Sequence, residues 1–135
     1  AALVQSLVQS EIEDNIFALT DAFGAKNGKL ALQLLEEQFA AGLSDEYILA
    51  MCQRQFKIIL QIKQIQSSGR LSEAQLAAKL KLHPFVVKKG FMQSGKFSIK
   101  ELNHYFQLFL ELDYKNKQGK ANLKNELCAL AASLT

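Results

Sequence analysis

Apolar residues recur along this chain at intervals of three and four, and almost nowhere at intervals of two. Such spacing lines one face of a helix and argues against half-buried strands. Ile12, Ile16, Leu19 and Phe23 predict a first helix, broken by Gly24 and the Asn27-Gly28 pair. Leu30, Leu34, Leu35 and Phe39 line a second, which Gly42 stops. Ser44 caps a third, with Asp45 and Glu46 against the positive end of its dipole. That helix runs to about Gln66, roughly 33 Å, and Ser67-Ser68-Gly69 ends it. Its apolar set (Ile48, Met51, Cys52, Phe56, Ile58, Ile59, Ile62, Ile65) is wide, which predicts a central position against several neighbours.

Local start signals are clear in the second half. Ser72 with Gln75 makes a capping box, and Leu71 with Leu76 the hydrophobic staple around it. Ser98 with Glu101 and Phe97 with Leu102 repeat both devices. Between them Pro84 suits the first helical position, with His83 before it as the cap residue. Leu102, Phe106 and Phe109 form one stripe on the helix after Ser98, where Asp113 and Lys117 can pair before Gly119 closes it. Leu123, Leu127, Leu130 and Leu134 define the last helix. The expected fold is an all-α single bundle of about seven helices.

Composition narrows the class. The chain has 135 residues, enough for one domain with its own core. Two Cys cannot build a disulfide framework, and 49% hydrophobic content excludes disorder. Both Cys52 and Cys128 fall on apolar helix faces, which suggests a reducing compartment and a cytosolic setting. No run approaches the ~18 apolar residues of a membrane span. The opening Ala1-Ala2-Leu3-Val4 lacks Met and a basic region, so it reads as the cut end of a longer chain rather than a signal peptide.

The net charge of +3 hides an asymmetry. Residues 1–67 carry five basic and eight acidic side chains, whereas residues 68–135 carry eleven and five. From Arg70 to Lys100, seven Lys/Arg face only Glu73. A basic half suits nucleic acid or an acidic partner, and equally a solvated lysine surface.

Catalytic and cofactor signals are missing. Gly24-Ala-Lys-Asn-Gly28-Lys29-Leu30 fails as a phosphate-binding loop in its spacing, its lack of a hydroxyl after Lys29, and the helix before it. His83 and His104 have no Cys or carboxylate at metal-ligand spacing. Glu11, Glu13, Asp14, Glu36 and Glu37 read as ordinary surface carboxylates. No nucleophile–base set can be assembled, so no catalytic activity, metal or cofactor is expected. Leu71 to Lys89 outlines a helix-turn-helix with Ala77 and Ala78 at the crossing, and a small DNA-binding or regulatory domain is the alternative function. Its second helix opens with Pro84, Phe85, Val86 and Val87, which suit packing better than base readout.

Asn15-Ile16-Phe17-Ala18-Leu19-Thr20-Asp21-Ala22-Phe23, Ala31-Leu32-Gln33-Leu34-Leu35, Arg54-Gln55-Phe56, His83-Pro84-Phe85-Val86-Val87-Lys88-Lys89 and Asp113…Lys117…Gly119 occur in that order. Together, from about Asn15 to Leu134, they resemble the C-terminal part of the delta subunit of bacterial DNA polymerase III clamp loaders. Gln118 departs from the Thr that family often has in Lys-Thr-Gly.

The resemblance implies a helical collar domain over 15–135, with 1–14 as the tail of the connection from a preceding module. It implies a non-enzymatic assembly role, with other clamp-loader subunits as partners through a pentameric collar. Primer–template DNA would be met in the full complex, and the sliding clamp only through an N-terminal module. The setting would be the bacterial cytoplasm at the replisome. Arg54, His83, Pro84 and Phe85 are the expected interface residues, set against local pairing for Arg54 and inward packing for Phe85. Lys88, Lys89, Lys115, Lys117 and Lys120 are the expected phosphate contacts, with stabilisation of a helix dipole as the plainer role for those near Lys117.

Overall fold

Six helices each begin at a side-chain cap in the computed structural model, which describes residues 14–134. The elements are α1 (residues 14–24), α2 (Gly28–Ala40), α3 (Asp45–Ser68), α4 (Glu73–Leu80), α5 (Pro84–Ser94), α6 (Ile99–Lys117) and α7 (Leu123–Ala132). No strand occurs among the described residues. Ile12, expected on the first helix, lies outside them.

The side chains of Asn27, Ser44, Ser72, His83, Ser98 and Asn122 each accept from a first-turn amide, satisfying a donor the helix itself leaves unpaired. Both expected capping boxes form. Ser98 N–H donates to Glu101 Oε1 and Glu101 N–H to Ser98 Oγ, each at 3.0 Å. Hydrogen bonding from Ser98 holds the Glu101 carboxyl below its ordinary range. The box therefore contributes above that range and weakens as pH falls through the depressed value.

At the C-terminal end of α6, Gly119 (φ +69°) sets up a Schellman turn. In it Lys120 N–H reaches Lys115 O at 2.9 Å and Gly119 N–H reaches Asn116 O at 3.0 Å. Lys26 (φ 56°) and Lys81 (φ 55°) hold the same left-handed position after α1 and α4.

The long α3 is central as expected, packing on α5, α6 and α7. Its first half contributes to the main core, where Phe56 is fully buried. The rings of Phe23, Phe97, Tyr105 and Phe109 surround Phe56 at 5.2–5.9 Å between centroids. Its second half makes a smaller, separate core: Ile58 and Ile62 against Leu76 and Ala77 of α4 and Val86 and Val87 of α5.

Several core expectations shift. On α2, Leu30 is exposed and Leu34 and Phe39 are only partly buried, because the inner face runs Ala31, Leu35, Gln38. Phe106 is only half-buried and Tyr105 takes its place inward, because the inner stripe of α6 runs Leu102, Tyr105, Phe109, Leu112. Ala78 is exposed, so Ala77 alone meets the hairpin core. Leu130 is only partly buried, packed at the edge of the main core.

Gly28 is buried where the start of α2 meets the end of α7. A methyl group there would fall on the carbonyl oxygens of Leu134 and Ala131. Backbone oxygens cannot rotate away as a side chain can. Gly28→Ala should therefore cost about 2–3 kcal/mol. Urea unfolding checks this, and an unchanged midpoint would contradict it.

Candidate functional site

α5 is held by its inner face and leaves an unusual outer one. Val86, Val87, Gly90 and Gln93 are buried. At Gly90 an added methyl would crowd Ile62 Cδ1 and Ile58 Cγ2, so the small residue lets α5 lie close on α3. Gln93 is the polar member of this face, 2% exposed. Its Nε2 donates to Phe17 O at 3.0 Å and to Asp21 Oδ1 at 2.9 Å, while its Oε1 accepts from Gln55 Nε2 at 2.8 Å. One amide thus ties α5 to α1 and α3. Lys96 Nζ adds a contact to Asp21 Oδ1 at 3.3 Å, and Lys63 Nζ donates to Ser94 O at 2.8 Å.

The outer face carries Pro84, Phe85, Lys88 and Met92, with Phe91 to one side and half-buried Lys89 to the other. Phe85 is 43% exposed and Met92 61%. Phe85 meets Phe17 edge-on at 6.0 Å, and Lys89 Nζ stands 5.7 Å from its ring centroid. The outcome for the turn is split: Val86 packs inward, whereas Phe85 stays partly exposed. No acidic residue occurs anywhere on α5.

At the N-terminal end of α5 this face runs into a groove of about 530 Å³, lined by Asp14, Arg54, Lys81, Leu82, His83, Phe85 and Val86. Arg54 projects from α3 and is exposed. The left-handed turn at Lys81 ends α4 and brings its side chain to the rim. His83 Nδ1 accepts from Phe85 N–H at 3.1 Å, so the neutral ring carries its proton on Nε2. Among the described residues Asp14 is the one carboxylate in this lining.

Arg54 and the turn from His83 to Phe85, two separate expectations from the sequence, therefore share one groove, with Pro84 and Lys88 beside it. Lys115, Lys117 and Lys120 lie elsewhere, around the Schellman turn after α6. Lys117 Nζ pairs with Asp113 Oδ2 at 2.9 Å, as the spacing suggested. Lys115 borders a second hollow of about 280 Å³ between α6 and α7, together with Glu111 and Glu126. Along the outer side of α6, Ile99, half-buried Phe106, Leu110 and Tyr114 form a second exposed apolar stripe.

Sequence reasoning missed Gln55 and Gln93 as a buried pair, and missed Lys81, Phe91 and Met92. A usable signal was present: α5 has large apolar residues on opposite sides, too many for one buried face.

Cys52 and Cys128 are unbridged. Burial pushes the Cys52 thiol up to about 12, which keeps it protonated and inert. Among the described residues no three His, Cys, Asp or Glu side chains gather as a metal site would require. The helix-turn-helix alternative is not favoured. The exposed positions at the start of α5 are Pro84, Phe85 and Lys88, with no Arg, Asn or Gln to read a base edge.

The chain matches the family model of the DNA polymerase III delta subunit, C-terminal domain, over residues 13–131. It is 32% identical over 117 residues to DNA polymerase III subunit delta of Bacillus subtilis (strain 168), covering 87% of this chain and 33% of that protein. Among solved structures it resembles the Bacillus subtilis DNA clamp loader delta protein, with a TM-score of 0.80 and 32% identity. That match covers 89% of this chain and 35% of the other, so the chain spans about a third of the length of these relatives.

The Gln93 amide positions the whole outer face. Gln93→Ala would leave Gln55 Nε2 and the Phe17 carbonyl buried without this partner. The expected loss is about 2–4 kcal/mol in chemical unfolding. A loss below about 0.5 kcal/mol would contradict that role.

Proposed function

The chain belongs to the DNA polymerase III delta-subunit family, matching its C-terminal domain, and from that premise we propose a non-enzymatic assembly role. In this reading residues 15–135 form one segment of a pentameric collar that joins clamp-loader subunits, and residues 1–14 are the tail of the connection from a preceding module. Contact with the sliding clamp belongs to that module. The setting is the bacterial cytoplasm at the replisome. No helix among the described residues is long and apolar enough to cross a membrane.

The observation that carries this reading is the pair of unlike exposed faces on one rigid bundle. A subunit in a ring meets its two neighbours through different patches, since head-to-tail contacts are heterologous. α5 offers one, with Phe85, Lys88 and Met92, and α6 another, with Leu110 and Tyr114. Surface patches of this kind mark interaction sites more often than chance exposure.

Primer–template DNA enters the proposal only through the assembled loader. Lys115, Lys117 and Lys120 are exposed at the end of α6, Lys117 in its pair with Asp113, and there they would meet phosphates without reading sequence.

The test uses the full-length subunit with and without this domain, mixed with the other clamp-loader subunits. Removal of the domain should abolish co-elution of a stable complex, and assembly that proceeds unchanged would sink the proposal. In the same complex, Lys117→Ala with Lys120→Ala should weaken primer–template binding and flatten its salt dependence, by roughly one unit of slope per lost contact.

A further inference from the structure

The outer side of α5 combines three properties that seldom coincide on a solvated helix. It exposes large apolar side chains, its own charged residues are all cationic, and it opens into a groove. Phe85 and Met92 line up with Lys88 between them, and Phe91 widens the apolar area. Lys88 and Lys89 come from the helix itself, and Arg54 and Lys81 from the groove; among the described residues the carboxylates nearby are Asp14 in the groove and Asp21, which is held by Gln93 and Lys96. The surface is fixed from behind by the Gln93 hydrogen bonds and the close approach at Gly90, so little ordering remains to be done on binding.

Resting on the assembly reading, we infer that this face seats an acid-flanked amphipathic helix of a neighbouring clamp-loader subunit. Its apolar residues would cover Phe85 and Met92, while a carboxylate enters the groove toward Arg54 and Lys81. Charge complementarity decides the class of partner, because a basic helix or a second basic face would be repelled across the same surface. The groove, at about 530 Å³, has room for a side chain. Met92 is unbranched and adapts to the shape of an opposing helix. Duplex DNA is the poorer occupant. Phosphates would satisfy the lysines but leave Phe85, Phe91 and Met92 exposed, and nothing at the helix start reads a base.

The experiment measures the affinity of the full-length subunit for its partner subunits, with primer–template affinity of the assembled loader as a second readout. Lys88→Glu reverses a charge on the face, Met92→Gln removes apolar area, and Lys29→Glu on α2 is the charge control. All three positions are exposed, and thermal melts establish that each variant folds. Lys88→Glu should weaken subunit binding about tenfold or more and reduce its salt dependence. Met92→Gln should weaken it severalfold with the salt dependence kept, and Lys29→Glu should do neither.

Wild-type association with unchanged binding by Lys88→Glu and Met92→Gln would overturn the inference and leave the assembly reading standing. Failure of the wild-type subunit to bind its partners would overturn both. Loss of primer–template affinity with subunit binding intact would make the face a nucleic-acid contact and also overturn the inference.

Discussion

The position of α5 depends on one buried carboxamide. Gln93 gives both amide hydrogens to α1, at the Phe17 carbonyl and the Asp21 carboxylate, and takes a hydrogen from Gln55 of α3. In an apolar setting, an amide misplaced by an ångström leaves donors and acceptors unpaired, so such a network tolerates one arrangement far better than its neighbours. Hydrophobic contact alone is less exacting. Ile58, Ile62, Val86 and Val87 would pack over a range of helix rotations, and the hydrogen bonds select one of them.

That selection has a cost which locates the working surface. With the Gln93 side of α5 turned inward, Phe85 and Met92 face solvent. Full burial of a side chain of this size is worth about 1.5–3 kcal/mol, and the isolated domain forgoes the share belonging to the 43% of Phe85 and 61% of Met92 left exposed. The rest of the bundle supplies rigidity. Phe56 and the four rings around it brace α1, α3 and α6, and the turn before α6 joins them through Phe97. Arg54, Gln55 and Phe56 are consecutive, yet one lines the groove, one latches α5 and one centres the core. A helix advances 100° per residue, so three adjacent side chains can serve three environments.

The helices were legible because their signals are local. Ser72, His83 and Ser98 act within one turn of chain, and their hydrogen bonds form where the sequence placed them. The reading failed where two faces of a helix are both apolar. On α6, Phe106 and Tyr105 are adjacent, and periodicity could not say which belongs to the core. The site was half legible for a similar reason. Arg54, His83 and Phe85 stood out as residues, but their meeting depends on the angle between α3 and α5. That angle is set by Gln55 and Gln93, which lie 38 positions apart. Two glutamines at that separation look like surface residues until the helices are packed.

Hydrogen exchange on the full-length subunit, alone and within the assembled clamp loader, tests the central claim most directly. The claim is that a hydrogen-bonded amide holds a preformed α5 face for a neighbouring subunit. Amides of α5 and of the turn from Lys81 to His83 should exchange measurably in the isolated subunit and gain protection on assembly. The Phe56 core should be equally slow in both states. Unchanged exchange along α5, with new protection confined to other faces of the bundle, would contradict the account.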